Sequence, residues 1–318
     1  MDTVISFYKF VPIEDPRALQ GELKKFVETA CPNMRGSILL ATEGINSGLS
    51  APQMEIDAFG AYLRQDPRFS DIQFKESYYE AISYRRMLVK VRKEIVTMGI
   101  PDVDSIHDTG AFLSPATLDQ WYKEKRPMIV VDTRNDYEYQ LGTFQDAINP
   151  KTTSFRQFPQ WVEENLSKEK DTPIVTFCTG GIRCEKATAF MRKAGFKEVY
   201  QLDGGILRYL EATKTQPEIH WEGDCVVFDK RKGLDRFLNP TAKPMCFVCL
   251  GELTPAITAS RSYEAGEACI PCSEKMELHA KKRQEEGRKK QALYQENRKR
   301  VLAATKKQYA SAIDMTDA

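Results

Sequence analysis

The sequence predicts an α/β protein built on a doubly wound parallel sheet, with a small α+β domain before it and a cysteine-rich, basic helical region after it. Three features carry that expectation. Between about residues 115 and 214, short apolar runs alternate with stretches of helical periodicity, the pattern of parallel strands joined by crossover helices. In the middle of that region Pro173-Ile174-Val175-Thr176-Phe177 reads as a buried strand. It is followed by Ala187, Phe190, Met191 and Ala194 at helical spacing, with Gly195 where a helix should stop. Beyond residue 245 the composition changes to paired cysteines and then to clusters of Lys and Arg.

A chain of 318 residues should form two or three domains. Charged residues at 29% and hydrophobic ones at 42% are ordinary for a soluble globular protein. No run approaches the roughly 20 apolar residues of a membrane span, and Met1-Asp2-Thr3-Val4-Ile5 lacks the basic and apolar regions of a secretory signal. Neither a membrane nor a protein partner is implied. Of eight cysteines, two share one loop and four form CxxC pairs, which reads as metal or redox chemistry in a reducing, cytoplasmic setting.

Residues 1–98 read as the α+β domain. Strands are expected over Val4–Val11, Ser37–Ala41, Ile45–Leu49 and from Ile72 to Tyr78, with helices from Pro16 and over Pro52–Arg64. The helix from Pro16 would bury Leu19, Leu23, Phe26 and Val27 and close at Cys31-Pro32; the second would bury Ile56, Phe59 and Leu63. The order β-α-β-β-α-β is the split βαβ, or ferredoxin-like, arrangement. Met87–Lys93 extends the sheet or leaves it. Near it, Arg85, Arg86, Lys90, Arg92 and Lys93 form either a solvated face or a surface for RNA phosphates. Residues 99–114 are polar and punctuated by Pro101 and Gly110, so they read as a linker.

The parallel-sheet domain is placed at 115–214, and its centre of interest is the loop after the central strand. Cys178-Thr179-Gly180-Gly181-Ile182-Arg183-Cys184 runs from a strand end into a helix N-terminus. That turn aims backbone N–H groups and a helix dipole at one sulfur, and Arg183 adds a positive charge. Cys178 is therefore expected to be an ionised thiolate, open to an incoming substrate at the carboxyl end of its strand.

Residues 215–273 form the cysteine-rich region. Cys246-Phe247-Val248-Cys249 and Cys269-Ile270-Pro271-Cys272 are separated by nineteen residues, a spacing that fits a structural four-cysteine zinc site better than disulfides in a reducing compartment. Cys225 has no evident partner. The tail, 274–318, reads as a basic helical stretch with Lys281-Lys282-Arg283, Arg288-Lys289-Lys290, Arg298-Lys299-Arg300 and Lys306-Lys307, suited to a polyphosphate such as RNA.

The Cys-x4-Arg loop between strand and helix resembles the active loop of the rhodanese superfamily, in the short form associated with sulfur handling. Ile129–Arg134 with Tyr137-Glu138-Tyr139, and Val199–Ile206, resemble its flanking signatures. With Ala41-Thr42-Glu43-Gly44-Ile45-Asn46, the string Cys178–Lys186 and the paired CxxC basic C-terminus, the whole layout resembles the bacterial rhodanese-family tRNA uridine 5-hydroxylases. That resemblance implies 5-hydroxylation of the wobble uridine of the tRNA anticodon with molecular oxygen as co-substrate. It also implies that Cys178 is the essential cysteine, Arg183 the loop arginine and Cys184 the second loop cysteine.

The residues by themselves point to sulfur transfer through a Cys178 persulfide, and a non-catalytic RNA-binding adaptor with a vestigial thiol site is a third reading. No GxGxxG nucleotide fingerprint, CxxCH haem sequence or 2-His-1-carboxylate pattern is present, so no nicotinamide, flavin or haem is expected. Two hydroxylation routes stay open at this stage. Cys178 could add to C6 of uracil, or an oxidised Cys178 could carry the oxygen, with Cys184 resolving it as a disulfide.

Overall fold

The computed structural model describes residues 2–80 and 83–241, together with Cys246 and Cys272. The chain divides into two compact units, Met1–Ala242 and Lys243–Ala318. In the second unit Cys246 and Cys272 are both buried. Cys249, Cys269 and the basic clusters between Lys281 and Lys307 lie outside the described residues.

The N-terminal part of the first unit runs β1 (Asp2–Phe10), α1 (Pro16–Ala30), β2 (Arg35–Ala41), β3 (Gly44–Ala51), α2 (Gln53–Leu63), β4 (Lys75–Tyr79) and β5 (Met87–Val91). Helix α1 starts where Asp15 accepts the backbone N–H groups of Arg17 and Ala18, with Pro16 in the first turn, where its missing N–H costs nothing. The sheet order is β4-β1-β3-β2-β5, the split βαβ order with β5 added parallel to β2. Alternate residues of the strands (Ile5 and Phe7, Ile38 and Leu40) meet Leu19, Leu23 and Val27 of α1 and Ile56, Phe59 and Leu63 of α2 in one core. At about 1.5–3 kcal/mol for each fully buried large side chain, this face holds the domain together. The fourth strand begins at Lys75, three residues later than the apolar run suggests. Ile72 is buried in a turn instead, its N–H bonded to Phe69 O, so it anchors the core without joining the sheet.

The second part runs β6 (Ala111–Leu113), α3 (Pro115–Lys123), β7 (Ile129–Asp132), α4 (Asp136–Leu141), β8 (Gly142–Phe144), α5 (Phe158–Asn165), β9 (Ile174–Phe177), α6 (Ile182–Lys193), β10 (Val199–Leu202) and α7 (Gly205–Ala212). Its sheet, ordered β6-β10-β9-β7, is parallel throughout. Leu118, Trp121, Ile206, Tyr209 and Leu210 of α3 and α7 pack on one face. Phe158, Val162, Ala187, Phe190 and Met191 of α5 and α6 pack on the other. Coverage on both faces explains why all four residues of β9 are buried and why its sequence shows no alternation.

Two boundaries differ from the sequence expectation. The stretch 99–114 contains the edge strand β6 and the buried Ser105, and Met98 just before it is buried against Phe155 and Phe158, so it is not a free linker. The strand is three residues long with only Leu113 buried, too short for a period in the sequence to announce it. Residues 215–241, grouped by sequence with the cysteine-rich region, belong to the first unit. There β11 (Trp221–Gly223) pairs with β8, and β12 (Cys225–Val226) pairs with β13 (Gly233–Leu234). Trp221 and Cys225 enter the core beneath α7, which accounts for the unpartnered Cys225.

Within this unit the two sheets meet along a seam that ends at the thiol loop. Ile182 packs against the cluster of Phe10, Ala41 and Ile95. Lys186 places its ammonium 2.8 Å from Glu43 and 2.7 Å from Glu94. Glu43 also accepts the backbone N–H of Ile95 at 2.7 Å. The Ala41–Asn46 turn is thus a docking element, and Gly44 allows it: a Cβ there would fall 2.0 Å from Lys9 O.

Candidate active site

The thiol loop is shaped by two glycines and by the helix that follows β10. Gly181 caps α6 at φ +104, a conformation that suits glycine, and a Cβ there would meet the Tyr8 hydroxyl at 2.7 Å. Cys178 O accepts the N–H of Ile206 at 3.0 Å and Thr179 O that of Leu207 at 3.2 Å. Gly205 makes this approach possible, since a Cβ would lie 2.4 Å from Cys178 O. The first turn of α7 therefore holds the loop carbonyls, and the N–H groups are left to face the sulfur. Gly181 N–H donates to Cys178 Sγ at 3.1 Å.

Cys184, one turn along at the start of α6, donates its thiol to the same sulfur, and its own sulfur lies 3.6 Å from Thr133 Oγ1. The two thiols titrate as a pair with opposite outcomes. Burial alone would raise the Cys178 pKa. The Cys184 thiol, the Arg183 charge and the backbone N–H groups of Arg183 and Gly181 together outweigh it and hold Cys178 well below an ordinary thiol. Burial and the neighbouring thiolate push Cys184 well above one. The arrangement favours the charge on Cys178 and the proton on Cys184.

Arg183 is not the free cation that its place in the loop suggested. Its guanidinium pairs bidentately with Glu138, at 2.7 and 2.8 Å, and both side chains are buried. Glu138 also accepts the Asn135 N–H at the start of α4. A second buried pair, Asp132–Arg134, lies behind it, with Arg134 Nη2 donating to Asp132 Oδ2 and Gly142 O, each at 2.6 Å.

The sulfur is also not open. Cys178 is 1% exposed. What covers it is polar and comes from the N-terminal domain: Tyr8 of β1, hydrogen-bonded to Glu185, and Lys75 of β4, whose ammonium bonds Gly180 O and, at 3.0 Å, Gly204 O. Burial moves the Glu185 carboxyl up to about 7, partly offset by the Tyr8 hydroxyl. Burial lowers the Lys75 pKa, and the charge of Cys178 opposes that.

Of the remaining loop residues, Thr179 is buried and donates to Val226 O at 3.3 Å, Gly180 lies under Lys75, and Ile182 faces the seam. Arg85, Arg86, Arg92 and Lys93 are exposed and Lys90 half-buried, on either side of and within the sheet-edge strand β5. Sequence reasoning missed Glu138, Tyr8, Lys75 and Glu185 as site residues. Glu138 stands in a quoted signature and Glu185 follows the loop directly. Tyr8 and Lys75 carry no local signal, because only the docking of the two sheets brings them to the sulfur.

Among the described residues no helix is long and apolar enough to cross a membrane. A family model described as the UPF0176 acylphosphatase like domain matches residues 3–95, and one described as the rhodanese-like domain matches residues 114–212. Among solved structures, a rhodanese-like domain from Anabaena sp. is 21% identical, covering 36% of this chain and 80% of that one, with a TM-score of 0.30. A rhodanese-related protein from Thermoplasma volcanium is 21% identical over 32% of this chain and 92% of that one, with a TM-score of 0.26. Neither carries weight at such scores. A curated relative from Legionella pneumophila (strain Paris), the tRNA uridine(34) hydroxylase, is 47% identical over 237 residues, 74% of this chain and 91% of the relative. With both domain families matched in order and 47% identity sustained over 74% of the chain, the chain belongs to the tRNA uridine(34) hydroxylase family.

Proposed function

We propose that this chain hydroxylates uridine 34 of tRNA at C5, with molecular oxygen as co-substrate and the Cys178 thiolate as the reacting group. Family membership supports the reaction class. The observation that carries the role of Cys178 is the Gly181 N–H at 3.1 Å from a sulfur that also receives the Cys184 thiol. A thiolate so prepared adds to C6 of uracil, and the displaced electron pair makes C5 nucleophilic toward the oxygen species. C5 takes one atom of molecular oxygen and the other leaves as water, which overall consumes two electrons and two protons from an external reductant; loss of the C5 proton then restores the C5–C6 double bond and expels the thiolate. Should Cys178 itself be oxidised to the sulfenic acid, the Cys184 thiol is placed to condense with it, giving a disulfide and water. Because Cys178 is 1% exposed, the β1 and β4 face must withdraw before a base can reach it.

The same proposal places RNA contacts on Arg85, Arg86, Lys90, Arg92 and Lys93 and on the tail clusters from Lys281 to Arg300, and the protein in the cytoplasm, where tRNA is modified. It also places a structural zinc on Cys246, Cys249, Cys269 and Cys272; the spacing and the burial of Cys246 and Cys272 support it, and zinc stoichiometry of the full chain tests it.

The decisive experiment is mass spectrometry of tRNA nucleosides from cells lacking this protein, complemented with wild type or Cys178→Ser. We expect 5-hydroxyuridine to be missing, thiolated uridines to be unchanged, and only the wild type to restore the loss. Restoration by Cys178→Ser would end the proposed role of that residue. Loss of thiolated uridine instead would favour persulfide sulfur transfer.

A further inference from the structure

The charges around the sulfur are nearly all spoken for. Arg183 is held by Glu138, Arg134 by Asp132, Arg208 by Asp203, and Lys186 by Glu43 and Glu94. Lys75 is different. Its ammonium reaches across from β4, forms no ion pair among the described residues, bonds the carbonyls of Gly180 in the thiol loop and Gly204 at the start of α7, and lies 5.8 Å from the centre of the Tyr8 ring. The other charged and titratable groups that act on it are Asp203 and Arg208, paired with each other, Glu185, which faces Tyr8, and Cys184 beside Cys178.

We propose that Lys75 is a positioning residue for Cys178: its ammonium keeps the Gly180 and Gly204 carbonyls turned from the sulfur and adds a positive charge beside that of Arg183. The proposal rests on Cys178 being the reactive thiolate. It makes the N-terminal domain part of the active site, since that charge is present only while β4 is docked on the loop. A cation bonded to neutral carbonyls adds to the field of Arg183, which the carboxylate buried beside it weakens but does not remove.

The test is a titration of thiolate absorbance in the full chain, taking Cys178→Ser as the blank. Wild type should show a step at low pH that Cys178→Ser removes; without that step the reading of Cys178 fails, independently of Lys75. Given the step, Lys75→Met should move it upward by about one pH unit or more, a tenfold loss of thiolate at a fixed pH below the midpoint. Lys75→Arg should restore most of it, which a purely structural role for the side chain would not predict. An unchanged midpoint in Lys75→Met overturns the proposal. The coupling can also be read from the other end with no change at Lys75, because linkage is reciprocal. Cys178→Ser should lower the Lys75 ammonium pKa, followed by NMR of the lysine side chain, and a pKa that stays in place is equally fatal.

Discussion

Cys178 and Cys225 lie in the same unit, each fully or almost fully buried and each under the influence of a buried guanidinium, yet they are opposite kinds of sulfur. Burial pushes the Cys225 thiol up to about 12; Arg134 pulls it down, but Glu138 and Asp132 push it back. Cys178 has a comparable arginine–carboxylate pair beside it, yet its pKa is held well below that of an ordinary thiol. The difference lies in donors aimed at the sulfur. Cys178 receives the Gly181 N–H and the Cys184 thiol, whereas Cys225 has beside it the Thr179 hydroxyl, which donates to Val226 O, and itself makes a weak contact, at 3.7 Å, to Val226 O. A nearby arginine is thus poor evidence of a reactive cysteine when a carboxylate is seated on it; the turn geometry is better evidence.

The largest effect that could break this comparison is on turnover. Cys178→Ser should lower hydroxylated nucleoside formed per chain by at least about a thousandfold, as expected when a covalent nucleophile is removed. Cys225→Ala should leave turnover within about threefold, its cost falling on stability instead. Equal losses in both variants would mean that the contrast in protonation has no functional meaning.

A second, smaller effect sharpens the role of the carboxylates. Glu138→Ala strands the Arg183 guanidinium without its partner in a buried position, which should cost about 3–5 kcal/mol in urea unfolding. In the fraction that stays folded, the unmasked cation should move the Cys178 titration further down. An upward movement would show that the pair acts on the thiolate through loop geometry and not through charge.

Much of this was legible from residues close together in the chain. The run Ile174–Phe177 followed by two glycines and a helical period specifies a strand, a tight loop and a helix N-terminus, because each feature is set by local sterics and burial. The two-faced sheet followed from the alternation of elements. What was not legible depends on tertiary docking. Tyr8 and Lys75 sit on strands of another sheet, and their polar identity is indistinguishable there from that of any solvent-facing strand residue. The coverage of Cys178 was missed for the same reason: loop sequence fixes where N–H groups point but not what packs above them. Strand β6 escaped because an exposed edge strand with one buried residue has no periodicity to detect.

The smallest effects concern the Tyr8–Glu185 contact that closes the cover over Cys178. The Glu185 carboxyl is raised from 4.5 to about 7, so the folded state binds a proton that the unfolded state has released in that interval. The stabilisation from this proton is complete below pH 4.5 and is lost as pH rises through about 7. Glu185→Gln cannot ionise and escapes the loss. Its stability relative to wild type should therefore increase across that window by up to about 3 kcal/mol and then level off, measured as urea midpoints at a series of pH values. Tyr8→Phe should act in the other direction and more weakly. It removes a hydrogen bond that favours the ionised carboxylate, so the Glu185 midpoint should rise further, with about 1 kcal/mol of stability lost at alkaline pH and less at acid pH. A Tyr8→Phe chain whose pH profile overlays that of wild type would show that Tyr8 covers the sulfur by shape alone, leaving Lys75 as the polar link between β4 and the thiol loop.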